Sequence, residues 1–269
     1  LNLNNLSNTR TSSPKARWRK IHTIIFHACF VSTKSWVIAA WLGGSDANGR
    51  TDELSDIDLQ LIVDDNRIED AFKLMKSMLE NTLGVAHTWQ VKGETRLGHP
   101  CAVYVPKSAP SCMCLDVMVI PQSSGKWHTQ KERHGEAVVL LDRIGVLESP
   151  LPLDREAHQV LIKERIAYHT ASHPVHKEVV YKTIARGNTV EASILYQLKI
   201  IRPLIELMRI EDCPDRFDFE ERYIGDDLSA SNHQLLIDLS MPASLEEMIK
   251  MYELACNEIQ DRLNRLASR

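Results

Sequence analysis

Asp56 and Asp58 stand one residue apart, downstream of a Gly43-Gly44-Ser45 turn. The mostly apolar run from Leu59 to Val63 predicts a strand over 56–63. Alternate residues of a strand share a face, so both carboxylates point one way while Ile57 and Leu59 point to the core. Two carboxylates about 7 Å apart at their Cα atoms, beside a glycine turn, can hold Mg²⁺ against a nucleoside triphosphate. Glycine there lets backbone amides approach phosphate closely. Asp116 is the candidate for a third carboxylate, in the middle of the apolar run from Cys112 to Ile120. A lone Asp in a buried strand is costly unless paired or metal-bound. The bland alternative is an Asp on an edge strand facing water.

Gly44-Ser45, ten intervening residues, Asp56-Ile57-Asp58-Leu59, and later Asp116 in an apolar strand resemble the DNA polymerase β-type nucleotidyltransferase superfamily. The run from Trp41 to Arg50 resembles the small bacterial members, including aminoglycoside and lincosamide nucleotidyltransferases. The resemblance covers residues 36–120 by motif and the remainder by architecture. It implies that Gly44 and Ser45 contact the β- and γ-phosphates, and that Asp56 and Asp58 ligate Mg²⁺. Asp116 is then the third carboxylate, as metal ligand or as general base, and both roles stay open. Arg50 is a candidate for the triphosphate, and a solvated loop arginine is an equally ordinary reading. Lys182 and Arg186 lie one helical turn apart and so share a face. Related enzymes set such cations against the triphosphate, although a cation pair on a solvated helix is commonplace. The implied reaction moves an NMP, AMP from ATP first, to a hydroxyl of a small molecule such as an antibiotic and releases pyrophosphate. The alternative is a nucleotidylyl modifier of a protein or RNA partner in a toxin–antitoxin-like system. Arg165 and His169 are too closely spaced for the RNase motif of the helical toxins in such systems. A non-catalytic module that kept the fold is a third reading, disfavoured because all three carboxylates are present.

The elements that must position these residues follow from pattern. Strands are expected at 36–42, 56–63, 85–91, 100–105 and 112–120, with a last extended segment at 138–147. Residues 68–83 have helical spacing, with Gly84 as the stop. Beyond Pro150 and Pro152 the period turns helical, over 154–171, 175–186, 189–209, 230–239 and 243–267. Asn188 and Glu191 form a capping pair, and Pro203 should kink its helix. The fold class is therefore α+β: a small mixed-sheet, polymerase β-like domain followed by a C-terminal helical bundle. The boundaries are a tail at 1–17, the sheet domain at 18–148 and a helical, acceptor-side domain at 149–269.

Composition limits the partners. The 269 residues carry a net charge of −4, which argues against a broad nucleic-acid surface. The six cysteines show no secreted framework, and reduced thiols suit a cytosolic, cytoplasmic setting. Cys112 and Cys114 pack as small apolar side chains more readily than they bind zinc. No run is long and apolar enough to span a membrane. The first 45 residues contain no acid, and basic residues precede the apolar run 21–31, as in a leader segment. A tail followed by a helix over 19–32 is the preferred expectation. His169, His173 and His176 are expected near a helix end, in solvent. Arg216, Asp218 and Arg222 are expected to form an ion-pair cluster that fixes the loop from Cys213 to Tyr223.

Overall fold

In the computed structural model, residues 34–52, 54–91, 98–108 and 113–268 are described. The expected helix over 19–32 and residue Cys112 lie outside them. The chain divides into two compact units, 1–153 and 154–269.

The first unit is a six-stranded mixed sheet. Strand β1 (Val37–Leu42) ends in a short helix α1 (Gly44–Ala47), where a bare turn was expected. Strand β2 (Ile57–Val63) leads to helix α2 (Ile68–Thr82). Strands β3 (Val85–Val91), β4 (Cys101–Pro106) and β5 (Leu115–Pro121) follow, then the short helix α3 (Lys131–His134) and strand β6 (Val138–Asp142). The spatial order is β3-β4-β5-β2-β1-β6. Among the described residues, only β2 and β5 pair in parallel; the other four pairings are antiparallel.

Alternation decides which residues do what. In β2, Ile57, Leu59 and Leu61 join a core with Phe72, Met75 and Leu79 of α2. Tyr104 of β4 belongs to the same face and donates its hydroxyl to the Phe72 carbonyl at 3.2 Å. The opposite face carries Asp58 at one end and, further along, a second core of Trp41, Ile62, Met118, Ile120, Val146 and Leu147. The sheet is thus covered by α2 on one side and only partly packed on the other.

The second unit is helical: α4 (Arg155–Ala185), α5 (Thr189–Tyr196), a π-helical segment (Gln197–Ile201), α6 (Arg202–Asp212), α7 (Ile224–Asp227), α8 (Ala230–Ser240) and α9 (Leu245–Ala267). Where two helices were expected, α4 runs unbroken for 31 residues with Pro174 inside it. Proline removes one intrahelical donor, yet α4 continues past it. The kink expected at Pro203 takes the form of the π-helical turn just before it, so Pro203 opens α6, where a missing N–H costs little.

One expectation about the second unit is corrected. His169 and His173 are buried, at 3% and 5% exposure, because unbroken α4 carries them inward rather than to a frayed end. The loop from Cys213 to Tyr223 draws on a residue beyond the expected Arg216, Asp218 and Arg222. Its hub is Arg209, fully buried, which donates to Asp227 at 2.9 Å, to the Glu220 carbonyl at 2.8 Å and to the Arg222 carbonyl. Arg216 pairs with the same Asp227, while Arg222 lies over the Phe219 ring. Among the described residues, no helix is long and apolar enough to cross a membrane.

Candidate active site

The carboxylates come together because β2 and β5 are in register. Asp58 and Asp116 are direct partners across the parallel pair, flanked by Ile57 opposite Leu115 and Leu59 opposite Val117. Residues in register on neighbouring strands share a face, so the two acids project side by side, about 4.8 Å apart along the hydrogen-bonding direction. Leu115 and Val117 point into the core with α2, and this forces Asp116 to the other side. Strand β2 begins at Ile57, whose N–H donates to the Cys114 carbonyl at 3.0 Å. Asp56 therefore sits in the approach to the strand rather than in it. It remains near enough to act on its neighbour: burial pushes the Asp116 carboxyl above its ordinary range, and the Asp56 charge pushes it further. A buried carboxylate facing like charge holds its proton more tightly.

The glycine turn closes over these acids. The Gly43 N–H donates to the Asp58 carbonyl at 2.9 Å, tying the end of β1 to β2. Gly44 has φ +52°, and a Cβ placed on it would run into the Asp58 carboxylate. Only a residue without a side chain lets that carboxylate lie against the turn. Ser45 follows, and its Oγ is buried without a hydrogen-bond partner among the described residues. Asn48 fastens the turn by donating to the Gly44 carbonyl at 2.8 Å, and Thr51 donates to Asp46 at 3.0 Å. Arg50 lies at the end of this turn, half-buried, with its N–H on the Ser45 carbonyl at 3.0 Å.

A second segment, not foreseen from sequence, braces the turn from outside. The Glu136 N–H donates to the Ala47 carbonyl at 2.8 Å, and Asn48 also reaches the His134 carbonyl at 3.4 Å. Gly135, at φ +80°, has no room for a side chain against the Ala47 carbonyl. Next to it, His99, His128 and His134 form a run of edge-to-face rings with centroids 5.4 and 5.5 Å apart. Residues 121–135 read as merely polar in the sequence. Glycine beside histidine was the single hint, and it carries no spacing rule.

Lys182 and Arg186 belong to the second unit, both exposed at the C-terminal end of α4, where the Arg186 N–H donates to the Lys182 carbonyl at 3.2 Å. Glu191 accepts from the Asn188 side chain at 3.3 Å, and Asn188 makes no side-chain bond to the helix N–H groups, so a side-chain pair stands where a capping box was expected.

The donor set suits a hard divalent cation: carboxylate oxygens in register, a backbone cradle that a Cβ would fill, and an orphaned hydroxyl. Among the described residues, no three His, Cys, Asp or Glu side chains already converge as a cage. Mg²⁺ does not require one, because it is commonly held by one or two carboxylates together with substrate phosphates and water.

No protein-family model and no curated protein matches the chain. Among solved structures, the chain is similar to a nucleotidyltransferase-like protein from Exiguobacterium sibiricum 255-15. The two are 11% identical, with 91% of this chain and 74% of that chain covered, at a TM-score of 0.37. A likeness of that size carries no weight for function, which rests on the geometry above.

Proposed function

We propose that this protein transfers a nucleotidyl group from a nucleoside triphosphate to a hydroxyl of a small molecule. The observation that carries the reading is the in-register pair Asp58–Asp116, with the Asp58 carboxylate lying against Gly44. Gly44 offers backbone and Ser45 its Oγ to the β- and γ-phosphates. Asp56 and Asp58 would hold Mg²⁺, which when bound neutralises charge on the phosphates and the departing pyrophosphate. Asp116, in register with Asp58, is proposed either as a further ligand or as the general base. As base it takes the proton of the acceptor hydroxyl on a carboxylate oxygen while the hydroxyl oxygen bonds to the α-phosphorus. The bond from the α-phosphorus to the bridging oxygen breaks, and pyrophosphate leaves with its electron pair. The protein contributes mainly position and electrostatics, as in other phosphoryl transfers. Arg50 is proposed as a cation for the triphosphate.

ATP is proposed as the donor and an antibiotic-like hydroxyl compound as the first acceptor to try. The test is incubation with labelled ATP, Mg²⁺ and a panel of aminoglycosides and lincosamides, read as a mass gain of one AMP. Transfer should vanish in Asp58→Asn and in metal-free buffer. Undiminished transfer by Asp58→Asn would overturn the reading.

A further inference from the structure

Trp89 is among the most exposed large apolar side chains of the described residues, at 67%, and it lies on the edge strand β3. Its position in the sheet is not arbitrary. Trp89 is opposite Val103 of β4, Val103 is opposite Asp116 of β5, and Asp116 is opposite Asp58 of β2. Directly opposed residues share a face. The alternate residues confirm which face: Tyr104 and Ala102 point to α2, as does Gln90, which donates to Glu69 of α2 at 3.4 Å. Trp89, Val103, Asp116 and Asp58 thus form one row across four strands. At about 4.8 Å per strand, Trp89 is about 10 Å from Asp116 and about 14 Å from Asp58.

The row has a direction. The Gly44-Ser45 turn follows β1, which flanks β2 on the side away from β5. On the nucleotidyl-transfer reading, on which this inference rests, pyrophosphate departs toward β1. In-line displacement then brings the acceptor from the opposite side, over β5, β4 and β3. The half-buried Val103 forms an apolar floor there, and Trp89 forms its end wall. Neither this row nor the neighbouring rows, His87–Val105 and Val91–Cys101–Met118–Gln60, contain lysine or arginine. These rows offer an anionic acceptor no cation, whereas a neutral or cationic one needs none.

We propose that Trp89 is the acceptor-positioning residue: the flat, weakly polar face of an uncharged or cationic ring compound lies on the indole while its hydroxyl reaches Asp116. The acceptor accordingly spans about 10 Å between the stacked ring and the reacting oxygen. An indole face suits such a ring, since stacking adds attraction beyond the buried area and a cation on the ring adds more.

The test uses the whole chain and three defined probes: methyl β-D-glucopyranoside, its 2-amino-2-deoxy counterpart as the cationic form, and glucose 6-phosphate as the anionic one. Binding is read by saturation-transfer NMR, and nucleotide affinity is measured in parallel. The neutral and cationic sugars should bind, Trp89→Ala should weaken them about tenfold, and Trp89→Phe should restore most of the affinity. The phosphorylated sugar should bind worst. Sugar binding unchanged in Trp89→Ala overturns the proposal. So does an effect of that substitution on ATP affinity alone, which would make Trp89 a nucleobase platform. So does the loss of a dimer in sedimentation, which would make it a contact between copies. Trp89-dependent sugar binding by a protein that neither binds nor transfers nucleotide would overturn the nucleotidyl-transfer reading and leave the ring platform standing.

Discussion

A single methyl group at position 44 would occupy the space of the Asp58 carboxylate, and it would do so from a backbone at φ +52°. Gly44→Ala therefore suffers twice, by a left-handed conformation worth about 1–2 kcal/mol and by displacement of a proposed metal ligand. Transfer should fall about a hundredfold or more, because a shift near 1 Å at a reacting centre has that effect. Gly43→Ala is the control: its Cβ would meet only the far end of the flexible Gln60 side chain, which can swing aside. Steady-state rates of the two variants check the contrast. Asp116 makes the opposite kind of prediction. Burial and then the Asp56 charge raise its proton affinity above that of the unfolded chain, whose ordinary value is 3.8. The folded state holds the extra proton, so the ionised carboxylate costs stability at neutral pH, and the cost disappears once both states are protonated. Asp116→Asn should abolish transfer while raising the melting temperature of the metal-free protein at pH 7, with no gain near pH 3.

At the scale of elements, the strands were more legible than their pairing. Asp58 and Asp116 fall within expected strands, where alternation sets their face, whereas Asp56 falls just before β2 and outside that rule. That Asp58 and Asp116 are neighbours was not legible, since pairing between β2 and β5 is non-local and no local pattern encodes it. The histidines of α4 were misplaced for a related reason. Pro174 looks like a helix end in sequence, whereas tertiary packing carries the helix past it and turns His169 inward. There His169 hydrogen-bonds Glu206 of α6 at 2.9 Å, and Arg165 grips the same carboxylate at 2.6 and 2.8 Å. Burial pushes the Glu206 carboxyl up, but the hydrogen bonds from Arg165 and His169 outweigh it and hold it at about 2, against 4.5 in the unfolded chain. A lowered carboxylate stabilises fully above about pH 4.5 and loses that contribution as pH falls toward 2. Glu206→Gln should cost roughly 2 kcal/mol at pH 7, as for hydrogen bonds to charged groups. The difference from the wild-type protein should shrink through that acid window in urea titrations.

At the scale of the whole molecule, each unit has its own core. The sheet unit packs Leu59, Phe72, Met75 and Val117 about α2, and the helical unit packs Tyr196, Leu204, Met208 and Ile259. The change of hydrophobic period near Pro150 and Pro152 signals this division because strands and helices bury residues at different intervals. The helical unit gave the sequence reading least to hold, since amphipathic helices of many functions share one pattern. Within the sheet unit, the β2–β5 pairing has one more effect. Asp58 and Asp116 stand in register across the parallel seam of the described sheet, and behind them Leu59 lies beside Val117 and Leu61 beside Val119. If β5 slipped by one position, Asp116 would be driven into the oily side and Leu115 or Val117 turned out toward phosphate. The hydrophobic face thus proofreads the chemical one: a misthreaded sheet is rejected by its own core before it can present a defective set of acids.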